Sequence, residues 1–196
     1  MANVLVLTAH DAAFAGVARQ SVPTHAAYAA RHGYSQVVIR GGFDCARPSP
    51  WSKLLFLRQQ LTHHELVLWL DADAAVTGDA DLSALAPDGL AVLTAAADAN
   101  GVNAGVMLWR SCPAAFHLLD RLWACEDLVH HPWWDNAALH RLHAESPHLF
   151  RLVEKRRLNS YGNDWEPGDF VLHAAGEPVK DKADLLWRAS RGLGVR

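Results

Sequence analysis

Short apolar runs alternate with stretches of helical spacing along the first seventy residues. Val4-Leu5-Val6-Leu7 and Val37-Val38-Ile39 read as buried strands. Between them, residues 12–32 set Phe14, Val17, Val22, Ala26 and Ala29 at helical spacing. This predicts a helix that Pro23 kinks or splits and that Gly33 ends. Residues 51–61 predict a second helix, with Leu54, Leu55, Leu57 and Leu61 at the same spacing. The strongest run is Leu66-Val67-Leu68-Trp69-Leu70, which stops abruptly at Asp71. Unbroken apolarity of this kind predicts a strand buried on both faces of a parallel sheet. Strand, helix, strand, helix, strand is the pattern of right-handed βαβ units.

The second half is less regular. Residues 81–86 predict a short helix ending at Pro87, and Leu90-Ala91-Val92-Leu93 a strand. Residues 102–110 predict another strand, entered through Asn103-Ala104-Gly105. Pro113 fits the first turn of a helix reaching residue 129, and residues 134–142 a further one. The chain then reads as irregular until Asp169-Phe170-Val171-Leu172-His173, a short strand that ends on a histidine. Residues 181–188 predict an amphipathic helix at the tail. With no repeat or linker, residues 1–196 are expected to form one α/β domain whose last third folds back over the sheet edge.

Composition narrows the partners. Apolar residues make up 51% of the chain and charged residues 20%, as in globular proteins. A net charge of −3 offers no basic field for nucleic acid. Cys45, Cys112 and Cys125 have neither disulfide nor metal spacing and suit a reducing compartment. No leader and no transmembrane run is visible, so the expected location is the cytoplasm, or a peripheral position at the inner membrane.

The acids closing the central strand carry the chemistry. Asp71 and Asp73 sit one residue apart and point to one side, about 6–7 Å apart at Cα if the backbone is extended. Two such charges repel by roughly 2–3 kcal/mol at an effective dielectric near 20. A divalent cation relieves that repulsion; two helix-capping aspartates are the plain alternative. His173, followed by small residues and Gly176, offers an imidazole beside open space, and mixed nitrogen and oxygen ligands favour Mn²⁺ over Mg²⁺. Asn103 and Gly105 offer an amide and a close backbone approach, or simply a bulge. Trp133-Trp134-Asp135-Asn136 has the residue types of a sugar pocket wall, although either indole also suits a core. Thr8 and Asp11 end the first strand, where a nucleotide would lie together with Ala72. Lys180 and Lys182 are the candidate partners of a diphosphate, and Lys53, on the helix before the central strand, is a candidate to face the nucleotide.

At this point the chain resembles glycosyltransferase family 34, which contains fungal galactosyl- and mannosyltransferases and plant xyloglucan xylosyltransferases. Tyr28-Ala29-Ala30-Arg31-His32-Gly33-Tyr34, Trp51-Ser52-Lys53 and Leu68-Trp69-Leu70-Asp71-Ala72-Asp73 are similar to its early blocks. Asn103-Ala104-Gly105-Val106-Met107, Trp134-Asp135-Asn136, Leu158-Asn159-Ser160-Tyr161 and residues 168–176 resemble later ones, in order. Asn136 stands where the family carries glutamine, and Glu177 where it carries cysteine. The resemblance implies a GT-A fold, a single Rossmann-like, mostly parallel sheet flanked by helices. It implies retaining transfer of a hexosyl or pentosyl group from a nucleotide-diphosphate sugar to a glycan or small-molecule acceptor. Asp71, Asp73 and His173 would hold Mn²⁺, with Mg²⁺ as the second choice. Asp135 and Asn136 would be catalytic, Asp135 beneath the anomeric carbon. Asn103, Gly105, Trp133, Trp134 and Gly176 would meet sugar or acceptor. UDP-galactose, UDP-xylose, UDP-glucose and GDP-mannose remain open as donors, UDP-sugars being favoured. Two other classes stay in view: a phosphatase of the haloacid dehalogenase type, and a nucleotide-sugar-binding module without turnover. The phosphatase normally carries its Asp-x-Asp on the first strand, with Thr or Val where Ala75 stands here.

Overall fold

The structure, a computed structural model, describes residues 3–86, 91–97 and 101–194. Six strands form the main sheet: β1 (Val4–Ala9), β2 (Ser35–Ile39), β3 (Leu66–Leu70), β5 (Val92–Ala97), β6 (Gly101–Arg110) and β7 (Phe150–Val153). Their order is β2-β1-β3-β6-β5-β7. β1 lies parallel to β2 and β3, and β5 parallel to β7, while β6 runs antiparallel to both its neighbours. A second sheet joins β4 (Ala74–Val76), β9 (Val171–His173) and β8 (Ser160–Tyr161) in the order β4-β9-β8. Leu90 and Pro87 lie outside the described residues.

β3 is buried along its whole length. Its alternate side chains feed two cores, as strand geometry requires. Val67 and Trp69 pack with α2 (Ser52–Gln60), α4 (Pro113–Trp123) and α5 (Trp134–Glu145). Leu66, Leu68 and Leu70 pack on the other face, with Tyr28 and Ala29 of α1 (Ala15–His32) and with Leu82 and Leu85 of α3 (Leu82–Leu85). A third cluster seats Leu186 and Ala189 of α6 (Val179–Ala189) against Val17 of α1 and Ala75 of β4.

Three expectations need correction. Pro23 does not split α1, which runs unbroken to Gly33 in the left-handed conformation. Pro23 and Arg19, whose carbonyl loses its helical partner, both lie on the exposed side, where water replaces the bond. The helix expected over residues 113–129 stops at Trp123, whose carbonyl accepts from Arg47 Nη1 at 2.7 Å, and a 3-10 turn over Glu126–Leu128 follows. The stretch read as irregular contains β7 and β8.

The opposite, buried side of α1 carries a polar stripe at helical spacing. Ser21 donates to the Ala72 carbonyl at 2.6 Å, and Tyr28 to the Ala80 carbonyl at 2.5 Å. Thr24 accepts from the Val76 amide at 2.9 Å. His25 Nε2 lies 2.6 Å from the Ala74 carbonyl, and its Nδ1 2.9 Å from Thr8 Oγ1. A carbonyl only accepts, so Nε2 carries the proton and Nδ1 accepts from the threonine. The stripe therefore grips the backbone on both sides of Asp73.

Burial pushes the His25 imidazole down to about 4, although its bond to Ala74 resists the shift. Between about pH 6.5 and 4 the unfolded chain takes up a proton that the folded chain refuses, so stability falls as pH falls through that window and is full above it. Urea melts at pH 7 and pH 5 should differ by roughly 2 kcal/mol from this group. In His25→Gln that difference should shrink; an unaltered pH slope would assign it elsewhere.

Candidate active site

A cavity of about 760 Å³ opens at the carboxyl ends of β1 and β3. Its floor is assembled from both halves of the chain. After β3, the Asp71 amide donates to the Gly105 carbonyl at 2.8 Å and the Ala74 amide to the Asp71 carbonyl at 3.0 Å. This tight turn returns the chain into β4, which pairs with β9 so that Ala74 faces His173. The Ala174 amide then donates to the Asp73 carbonyl at 2.8 Å. Asp71, Asp73 and His173 each present a ligand atom within 4.8 Å of the others. His173 Nε2 stands 3.4 Å from Asp73 Oδ1.

Gly105 explains how the imidazole fits. A Cβ at this position would lie 2.0 Å from His173 Cε1 and 2.8 Å from each ring nitrogen. Gly105, expected to meet a sugar, lines the cavity and is also the seat of the histidine. His173 Nδ1 is buried without a hydrogen-bond partner. Two carboxylates and an imidazole with an unsatisfied nitrogen fit a divalent cation by donor type and by that orphaned atom.

Lys53 ties this cluster to α5. Its ammonium donates to the Ala104 carbonyl at 3.0 Å and lies 3.0 Å from Asp71 Oδ1. It also lies 3.1 Å from Asp135 Oδ2, completing a second ion pair. Burial opposes the lysine's charge, but Asp135 and Asp71 outweigh it and hold the group above the usual lysine range. Burial also dominates at Asp135 and pushes its carboxyl up to about 6, with Lys53 pulling down and Asp71 pushing further up. Asp73 is disfavoured as an ion by burial, yet His173 and then Lys182 hold it well below the usual carboxylate range. Asp71 Oδ1 also accepts from the Trp69 indole at 2.6 Å.

Most of the other expected residues reach the cavity. Asn103 and Asn136 reach the cavity, but their side-chain oxygens brace β6: Asn136 accepts from the Ala104 amide, Asn103 from the Gly105 amide and from Asn159. Asp11, Ala72 and Gly176 line the cavity; Asp11 also caps the turn before α1 by accepting from the Phe14 amide at 3.1 Å. Trp133 and Trp134 stand at its wall with half and 43% of their surface exposed. Trp134 opens α5 at φ +44°, a conformation that costs a residue of this size about 1–3 kcal/mol and leads directly into buried Asp135.

Two residues lie elsewhere. Thr8 points to the face covered by α1, where it serves His25, because alternate strand residues point opposite ways. Lys180 is exposed and off the cavity wall; Lys182, two positions on and so on another side of α6, reaches it. Lys53 and Lys182 are both there, but each meets carboxylates. Tyr161, which closes the Leu158-Asn159-Ser160-Tyr161 block but carries no expected site role, is a cavity residue, its ring edge-on to His173 at 6.0 Å.

A mostly parallel sheet, one reversed strand and an acidic turn at the strand ends define the GT-A fold of glycosyltransferases, and solved structures agree. A glycosyltransferase involved in glycosylation of the major capsid of PBCV-1 superposes with a TM-score of 0.75 over 94% of this chain and 98% of its own, at 15% identity. The galactosyltransferase LgtC, solved with donor and acceptor sugar analogues, gives 0.65 over 93% and 95%, at 14% identity. In sequence, a Schizosaccharomyces pombe protein described as a probable alpha-1,2-galactosyltransferase, gmh2, is 31% identical over 101 residues. That match covers 46% of this chain and 29% of the length of the relative. No family model matches the chain. Among the described residues no helix is long and apolar enough to cross a membrane.

Proposed function

We propose that the protein is a metal-dependent retaining glycosyltransferase that moves a hexosyl or pentosyl group from a nucleotide-diphosphate sugar to a hydroxyl acceptor, and that it belongs with the family 34 enzymes its motifs resemble. The observation that carries this reading is the convergence of Asp71, Asp73 and His173 beside a buried carboxylate, Asp135, held by Lys53. Asp71, Asp73 and His173 would hold Mn²⁺ or Mg²⁺, which when bound neutralises charge on a leaving diphosphate. Asp135 would face the anomeric carbon and stabilise positive charge developing there, with Lys53 fixing its place. Ala72 and Asp11 would border the nucleotide, a UDP-sugar being favoured. Trp133 and Trp134 would stack the acceptor, a glycan or a small hydroxyl compound, with Asn103, Asn136 and Gly176 around it.

The test is a thermal-shift panel of nucleotide sugars with and without Mn²⁺. A donor at a hundredfold excess over Kd should add about 2.7 kcal/mol, a shift of several degrees for a chain of this size. Asp73→Asn should lose the Mn²⁺-dependent part. A mutant that responds like its parent would dismiss the metal assignment. Binding without turnover on any acceptor would mark a sugar-binding module instead, and Mg²⁺-dependent hydrolysis of a coloured phosphate ester would mark a phosphatase.

A further inference from the structure

Lys182 reaches from α6 into the cavity and ends on Asp73. Its ammonium lies 2.6 Å from Asp73 Oδ2 and also donates to the Ala174 carbonyl. The side chain is buried, so the solvent screens this pair little. A divalent ion approaching Asp73 therefore meets a carboxylate that already has a full positive charge bonded to it. Asp71 is engaged as well, its Oδ1 shared by Lys53 and the Trp69 indole. Across the floor, three carboxylates (Asp71, Asp73 and Asp135) face two ammonium groups (Lys53 and Lys182). One negative charge is left uncompensated among these groups. A dication entering alone overshoots that balance, and a diphosphate entering alone worsens it. The two together, a dication and the two negative charges of a nucleotide sugar's diphosphate, cancel each other and leave the balance as it was.

We propose that Lys182 is a built-in counter-ion of Asp73 that keeps metal affinity low until a nucleoside diphosphate arrives, so that the two bind as a linked pair. The second half rests on the glycosyltransferase reading; the first concerns the metal alone. Linkage requires each ligand to raise the affinity of the other by one common factor. Lys182 contributes to that factor by weakening the metal in the donor-free protein, where its charge has no other anion to answer. Its role differs from that of a lysine held in reserve for phosphate, which would leave the metal affinity of the donor-free protein untouched.

The experiment titrates Mn²⁺ into the parent chain, Lys182→Met and Lys182→Arg, following free Mn²⁺ by electron paramagnetic resonance, with and without UDP or GDP. Removing a unit positive charge that touches a ligand should tighten Mn²⁺ binding at least about tenfold in Lys182→Met without nucleotide. The enhancement by nucleotide should shrink by a similar factor, and Lys182→Arg should stay near the parent. Lys182→Gln repeats the comparison with a neutral donor should the methionine variant fail to fold. Unchanged, weakened or undetectable Mn²⁺ binding in the neutral variants overturns the proposal. If the parent shows no coupling between Mn²⁺ and either nucleotide while the neutral variants still gain affinity, the counter-ion role stands and the linkage falls with the donor reading. Intact coupling with no gain upholds the donor reading and still overturns the role given to Lys182.

Discussion

Gly105→Ala is expected to lose metal-dependent stabilisation and to lower turnover at least about a hundredfold while the fold survives. The new methyl group would occupy the space of His173 Cε1, 2.0 Å away, so the ring has to leave its seat. A displacement of about an ångström in a reacting constellation costs on the order of a hundredfold. The clash is with the end of a side chain, not with backbone, and β6 keeps its pairing with β3 and β5. The melting temperature without metal should therefore move by no more than a few degrees. The measurement is the Mn²⁺-induced thermal shift of the variant beside its parent. A full shift would show that His173 does not hold the ion.

Lys53→Met should be the most destabilising single change in the site. It removes the positive partner of two carboxylates, one of them, Asp135, buried. Breaking a buried pair from one side costs about 3–5 kcal/mol, because the remaining charge has no solvent to turn to. For a chain of this size that is a fall of roughly 10 °C in melting temperature. Adding Asp135→Asn removes one of the stranded charges, so the double variant should recover part of the loss while remaining inactive. A single variant melting within two degrees of its parent would show that Lys53 is not the electrostatic keystone of α5 and β3.

Much of this arrangement could be read from local pattern. The run from Leu66 to Leu70 ends on acids because the strand leaves the core there, so one stretch gave both the central strand and the mouth of the cavity. His173 was legible for the same reason, as the last residue of an apolar strand. What local pattern could not give was direction. Thr8 and Asp11 both close β1, yet only strand alternation in three dimensions sends Thr8 beneath α1. Lys180 and Lys182 look equivalent in the sequence, and the helical turn between them separates surface from cavity. Lys53 was expected to face the nucleotide and meets Asp71 and Asp135, partners that lie just past β3 and on α5. β4, β7 and β8 were missed because two to four residues are too few to show a period. The stripe of Ser21, Thr24, His25 and Tyr28 was hidden for another reason: apart from Thr8 its partners are backbone atoms, which carry no residue code.

The pairing of β4 with β9 has a consequence for how the molecule comes into being. The proposed site is split between two distant stretches, so a polypeptide released early would own both acids yet lack the imidazole and the lysine that pairs with Asp73. Such a fragment has nothing with which to close its grip. On the proposed reading incomplete copies should be silent, and competence should arrive only once β9 has paired with β4.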